Sequence, residues 1–193
     1  MKIALIGGSF NPPTATHGRI GMEILKKGLA DQVWYVPSNT HPFAGTQDHK
    51  KKRAPYEDRC RMVSAMIEDL APDLEGGCMQ VSTIEFSMRG ECYTKNVVEA
   101  LMALHPHHEF MWVVGTDCVK DFPKWKYIEW VLENVTMIVY PRPGYAYEGG
   151  LGPKHIILSD VPLVDASSSR VRAGDTSLLT PSVARYWEGL QTA

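Results

Sequence analysis

The chain has little excess charge of either sign. Its 193 residues include 20 Lys and Arg against 22 Asp and Glu, a formal net charge of −2. That balance argues against capture of nucleic acid by bulk charge. Cysteine is sparse: Cys60, Cys78, Cys92 and Cys118 form no C-x-x-C pair, so neither a structural zinc site nor a disulfide framework is expected. No apolar run approaches the ~20 residues needed to span a bilayer. The longest runs, Phe110 to Val114 and Val135 to Tyr140, are strand-sized. The apolar start, Met1 to Ile6, is too short for a signal-peptide core, so a cytoplasmic location and free thiols are expected. Neither G-x-G-x-x-G nor a Walker A loop occurs.

What is present is enough apolar content, 44% of residues, to exclude disorder as a description of the whole. Apolar runs alternate with helical patterns. Lys2 to Ile6, Gln32 to Val36, Met79 to Ile84, Phe110 to Val114, Val135 to Tyr140 and His155 to Leu158 read as strands. Between them, His17 to Leu29, a segment opening at Pro55, one with Thr94 as cap, and Trp125 to Leu132 read as helices. Ser168 to Ala173 and Pro181 to Leu190 read as two more, and Pro37 to Lys52 as a long loop. Strands that are continuously apolar, separated by helices, predict a Rossmann-like α/β fold. Its doubly wound parallel sheet carries helices on both faces. Without repeat or linker, residues 1–193 read as a single domain. Such sheets bind ligands beyond the carboxyl ends of their strands, which points to the segments after each strand.

Three of those segments carry chemistry. Gly7-Gly8-Ser9-Phe10-Asn11-Pro12-Pro13-Thr14-Ala15-Thr16-His17-Gly18 joins the first strand to the first helix. Its glycines allow close backbone approach, and a helix start favours anions. Near the other end, Ala166-Ser167-Ser168-Ser169-Arg170-Val171-Arg172 places hydroxyls at a helix start with an arginine one turn later, a plausible phosphate clamp. In the middle, Gly115-Thr116-Asp117 is followed by Phe122-Pro123-Lys124-Trp125. A carboxylate just past a strand end can accept bonds from ribose hydroxyls, and an indole face attracts a flat cationic ring. Taken singly, each has an ordinary structural reading: a linking loop, a serine-rich cap, a core aromatic.

Together the segments resemble a known group. The first is similar to the GxFxPxHxGH signature of the HxGH nucleotidyltransferase superfamily. Thr14 stands at the first histidine position, a known variant, Thr16 stands where the family has glycine, and His17 matches the second histidine. The second resembles the ISSTxxR signature, with Ala166 for Ile and Ser169 for Thr. The third resembles the GxDxxxxFxxW stretch of bacterial nicotinate mononucleotide adenylyltransferases. Glu91-Cys92-Tyr93-Thr94 and Tyr140-Pro141-Arg142-Pro143-Gly144-Tyr145 are similar to that family's S-Y-T and R-R-P-G-Y segments. Pro37-Ser38-Asn39-Thr40-His41-Pro42 matches its P-x-N-x-x-P, but the basic P-P-H-K continuation is replaced by Phe43-Ala44-Gly45 and, later, Lys50-Lys51-Lys52-Arg53.

The resemblance implies an enzyme that transfers the adenylyl group of ATP to nicotinate mononucleotide, forming deamido-NAD and pyrophosphate, with Mg2+ accompanying ATP. His17, Thr14 and Arg172 would be catalytic. Gly7, Gly8, Ser9, Phe10, Asp117, Ser167, Ser168 and Ser169 would bind ATP. Asn39, Tyr93, Thr94, Trp125 and Arg142 would receive the mononucleotide; the basic run Lys50, Lys51, Lys52 and Arg53 reads as a solvated surface or, alternatively, as the source of one residue that meets phosphate. No residue is expected to ligate a metal directly, and no nucleic-acid or membrane partner is expected. The chain would act as a monomer or homo-oligomer. Three alternatives stay open: the amide mononucleotide as acceptor, another adenylyltransferase such as the pantetheine-phosphate enzymes, and a sensor that binds nucleotide without catalysis.

Overall fold

The computed structural model describes residues 1–39, 53–74, 78–147, 149, 151, 153–158, 161–162 and 167–192. The expected lysines of the long loop, Lys50, Lys51 and Lys52, and Ala166 of the second signature lie outside the described residues. Six parallel strands form one sheet in the order β3-β2-β1-β4-β5-β6: β1 (Lys2–Gly8), β2 (Gln32–Pro37), β3 (Cys78–Val81), β4 (Glu109–Gly115), β5 (Thr136–Tyr140) and β6 (His155–Ile157). The chain winds outward from β1 to β3, then returns to β1's other side to lay down β4. The switch point therefore lies between the carboxyl ends of β1 and β4.

The helices are α1 (Ala15–Lys26), α2 (Tyr56–Leu70), α3 (Ile84–Ser87), α4 (Thr94–Leu104), α5 (Thr116–Val119), α6 (Ile128–Asn134), α7 (Ser168–Arg172) and α8 (Pro181–Thr192). The strands are apolar on both faces because both faces are covered. Ala4, Ile6, Val33, Tyr35, Met111 and Val113 pack with Ile20 and Ile24 of α1, Met62 and Met66 of α2, and Val183 and Trp187 of α8. Ile3, Leu5, Trp34, Val36, Phe110, Trp112 and Val114 pack on the opposite side with Val97 and Leu101 of α4 and Val131 of α6. Each Val, Leu, Ile, Phe or Met among them, taken fully out of water, contributes about 1.5–3 kcal/mol. The four cysteines are all free thiols. Among the described residues, no helix is long and apolar enough to cross a membrane.

Of the element boundaries that differ from expectation, three shape the region beyond the strands. The third strand stops at Val81 rather than Ile84. Ser82 N–H donates to Tyr35 O at 2.7 Å, after which β2 ends at Pro37, which has no N–H to extend the ladder. The chain turns at Thr83 and forms the short α3 instead. The helix expected from Trp125 starts at Ile128, because a 3-10 turn over Phe122–Lys124 is followed by Tyr127 in the left-handed region (φ 64°). Trp125 thus sits on a linking segment, not inside a helix. Thr94 does not cap α4: it is already helical, and the extended Tyr93 (ψ 150°) is the cap.

Candidate active site

The first loop is built around one ring. Phe10 adopts φ 46°, a left-handed conformation uncommon for a residue with a large side chain, and is 2% exposed. Packing determines it: the Phe10 ring meets His17 edge-on at 5.3 Å and Tyr35 at 5.9 Å between centroids. Tyr35 O–H in turn donates to His17 O at 3.0 Å. This approach needs Gly21, where a Cβ would lie 2.4 Å from the Tyr35 hydroxyl.

Thr14 is the cap of α1 and is fully buried. Its N–H donates to His17 Nδ1 at 2.9 Å, and its hydroxyl oxygen lies 2.8 Å from the same nitrogen. The spacing is that of a capping box with an imidazole in the usual place of a carboxylate. Because Nδ1 accepts a backbone N–H, the proton of the neutral ring belongs on Nε2. Desolvation, and next the Arg142 guanidinium, lower the His17 pKa to about 4, so the ring is neutral at physiological pH. His17 is therefore a fixed neutral ring whose Nε2–H is the remaining donor. Thr14, expected to touch phosphate itself, spends its polar groups on orienting that ring. Thr14→Val keeps the shape and backbone bond but removes the hydroxyl. We expect kcat to fall roughly tenfold with KM nearly unchanged, and Thr14→Ser to retain most activity; initial-rate kinetics on both variants check this.

The second signature closes onto the first. Ser168 Oγ donates to Pro12 O at 2.7 Å. Arg172 Nη1 donates to Asn11 O at 2.8 Å, and Nη2 to Ser169 Oγ at 2.9 Å. Ser167 Oγ caps α7 by accepting Arg170 N–H at 3.3 Å. Residues separated by more than 150 positions in sequence thus form one wall. The three serine hydroxyls and Arg172, expected on phosphate, are also what hold this wall together.

The third segment lies beyond β4. Gly115 leaves space that a Cβ would take from Asp117 Oδ1, 2.2 Å away. Asp117 Oδ2 pairs with Arg142 Nε at 3.6 Å, while Oδ1 is buried with no hydrogen-bond partner among the described residues. Arg142 N–H donates to Thr116 Oγ1 at 2.9 Å, which fixes the segment after β5 against the end of β4. Arg142, expected with the mononucleotide, is grouped here with Asp117 and Tyr140 instead. It also borders a cavity of about 320 Å³ with Thr16, Arg19, Tyr140, Pro141 and Leu158. That volume lies within the range of small-molecule sites. Thr16, the departure from the superfamily's glycine, faces this cavity.

The remaining expected residues come from other segments, past β2, past β3 and past β4. Trp125 is half-buried, its ring 4.8 Å from Phe122. Tyr93 meets Tyr127 edge-on at 5.9 Å, with Lys126 Nζ 4.7 Å over its ring. Thr94 begins α4 beside it. Asn39, just past β2, donates its N–H to Glu85 Oε2 at 2.7 Å. Arg53 is committed to Ser38, bonding its carbonyl and its hydroxyl. Sequence reasoning missed Asn11, whose Oδ1 accepts Ala54 N–H at 3.0 Å, and Arg59, 2% exposed, which donates to Ser9 O at 2.8 Å. It missed Glu85 as well, 5% exposed.

Comparison with known proteins fits this arrangement. The cytidylyltransferase-like family profile matches residues 5–174, and the chain is a nucleotidyltransferase of that class. It is 34% identical over 173 residues to the "probable nicotinate-nucleotide adenylyltransferase" of Bacillus pumilus, covering 89% of this chain and 84% of that one. It is 31% identical over 188 residues to the protein of the same name from Porphyromonas gingivalis, covering 97% and 89%. More narrowly, then, the chain belongs to the nicotinate-nucleotide adenylyltransferase family. A Plasmodium falciparum nicotinic acid mononucleotide adenylyltransferase solved in complex with NaAD shares the fold, with a TM-score of 0.79 at 18% identity over 98% of this chain and 96% of that one.

Proposed function

We propose that the cleft above β1 and β4 transfers the adenylyl group of ATP to nicotinate mononucleotide, giving deamido-NAD and pyrophosphate. The observation that carries this reading is the neutral His17, held by Thr14 so that Nε2–H alone remains to donate, at the start of α1 where an anion is favoured. The incoming 5′-phosphate is already anionic and needs no protein base. Its oxygen attacks the α-phosphorus of ATP in line, and the bond to the bridging oxygen of pyrophosphate breaks. The protein aligns two polyanions and stabilises charge on the transferring phosphoryl group.

His17 Nε2–H serves the α-phosphate in this reading. Backbone amides around Ser9 and Phe10 approach the two phosphates. Ser169, whose hydroxyl accepts from Arg172, keeps its own O–H to donate to the pyrophosphate end alongside that guanidinium. The orphaned Oδ1 of Asp117 suits a ribose hydroxyl, and the cavity beside Thr16 and Arg142 suits the adenine end. Among the described residues no cluster of three or more His, Cys, Asp or Glu is placed to hold a metal ion. Magnesium in this reading arrives on ATP as part of the substrate.

Trp125 and Tyr93 would receive the pyridine ring. Trp125→Ala is expected to raise KM for the mononucleotide about tenfold and that for ATP less than twofold. Equal increases for both would make Trp125 merely a packing residue. The reading as a whole is tested by initial rates with ATP, magnesium and either the acid or the amide mononucleotide. It predicts dinucleotide formation with kcat/KM higher for the acid. Binding of ATP without any dinucleotide would favour a sensor instead.

A further inference from the structure

Glu85 is a buried carboxylate for which the chemistry above has no use. It stands on α3, the helix that replaces the expected end of the third strand. Its Oε2 accepts Asn39 N–H at 2.7 Å, and its carbonyl oxygen is approached by Asn39 Nδ2 at 3.5 Å and by Cys92 Sγ at 3.9 Å. Asn39 and the Cys92-Tyr93-Thr94 segment are the two arms between which the pyridine mononucleotide is read to sit. They come from different crossovers, and Glu85 is the residue that touches both.

We propose that Glu85 is a positioning residue for the mononucleotide subsite, its carboxylate and carbonyl holding Asn39 and Cys92 in one relative geometry. The inference rests on the adenylyltransferase reading of the cleft.

The charges around the carboxylate extend its reach. Arg53 and Arg59 both favour its ionised form. Arg53 holds Ser38, the residue before Asn39, and Arg59 holds Ser9 of the first loop. Among the described residues, Tyr56 of α2, with Cys60 beside it, and Cys92 from the segment before α4 are the further titratable neighbours. Ionised, Glu85 gives Asn39 a charge-assisted bond, stronger than the bond a neutral carboxyl accepts.

Burial outweighs the arginines and raises the Glu85 pKa to about 7. The sign of the consequence follows. Glu85 keeps its proton in the folded chain at pH values where the unfolded chain has lost it. Its ionisation therefore costs stability, and that cost grows as pH rises from the ordinary carboxylate range through about 7. A residue that weakens the fold when charged, yet tightens the subsite in the same state, separates function from stability.

The test is initial-rate kinetics on the full chain across about pH 5.5 to 8.5, with thermal melting at both ends, for wild type, Glu85→Ala and Glu85→Gln. Wild-type kcat/KM for the mononucleotide is expected to rise through an inflection near 7 that is absent for ATP. E85A should raise KM for the mononucleotide roughly tenfold and that for ATP less than twofold. E85Q keeps an acceptor for Asn39, so it should recover most of that loss. It should also lose the inflection near 7 and melt at a higher temperature than wild type at the alkaline end. The substrate's own phosphate titrates identically in all three proteins, so the difference between wild type and E85Q isolates Glu85. If E85A fails to fold, E85Q decides alone. Equal effects on both substrates, no effect on either, or an inflection that persists in E85Q would overturn the proposal. Absence of dinucleotide from wild type would instead overturn the reading on which it rests.

Discussion

Replacing His17 with alanine is expected to lower kcat by roughly 10²–10³-fold while leaving the KM values within a few-fold of wild type. The reasoning starts from the ring's protonation. A pKa near 4 and an Nδ1 already accepting Thr14 N–H leave one donor, Nε2–H, on a ring that cannot rotate without losing its packing on Phe10. A preorganised donor of this kind acts mainly on charge that develops in the transition state, so the loss appears in kcat rather than in binding. The variant also orphans the buried Thr14 N–H, which costs about 1–3 kcal/mol of stability. The fold should survive that, and circular dichroism with thermal melting separates it from catalysis. Turnover close to wild type in a folded variant would remove His17 from the mechanism.

The second large effect is expected at Arg172. Its guanidinium spans Asn11 O and Ser169 Oγ, so it joins the two signature segments, and in the proposed reaction it would also hold the pyrophosphate end. Arg172→Lys keeps the charge but not the two-pronged geometry. We expect KM for ATP to rise about 10- to 100-fold and kcat to fall with it, whereas mononucleotide KM changes little. Arg172→Ala should be worse than lysine on both counts. Equal ATP affinity in lysine variant and wild type would show that the arginine serves only to pin the loop, and does so replaceably.

Much of this was legible in the residues. Continuous apolar strands separated by helical patterns predicted the parallel sheet, and burial of both faces explains the pattern. Thr14 and His17, three apart at a helix start, carry the spacing of a capping box, although their mutual bond was not foreseen. The polar network under the mononucleotide arms was not legible. Glu85 lies just past the strand expected from Met79 to Ile84, where nothing in the sequence marks it as buried. The chain leaves the sheet after Val81 and turns into α3, which buries the carboxylate. Arg59 stands on the buried face of α2 with Met62, Val63 and Met66, but nothing local shows that it reaches back to Ser9. The sequence reads as helix from Trp125, whereas the helix starts at Ile128. The left-handed Tyr127 between them is a conformation no propensity favours.

The most direct test of the account follows the label from ATP carrying a radioactive α-phosphate, incubated with magnesium and nicotinate mononucleotide. The account predicts that the label enters a pyridine–adenine dinucleotide, one per unlabelled pyrophosphate released, and that the His17→Ala variant forms it far more slowly. Label that stays in ATP or appears as AMP, with no labelled dinucleotide from wild-type protein, would contradict it.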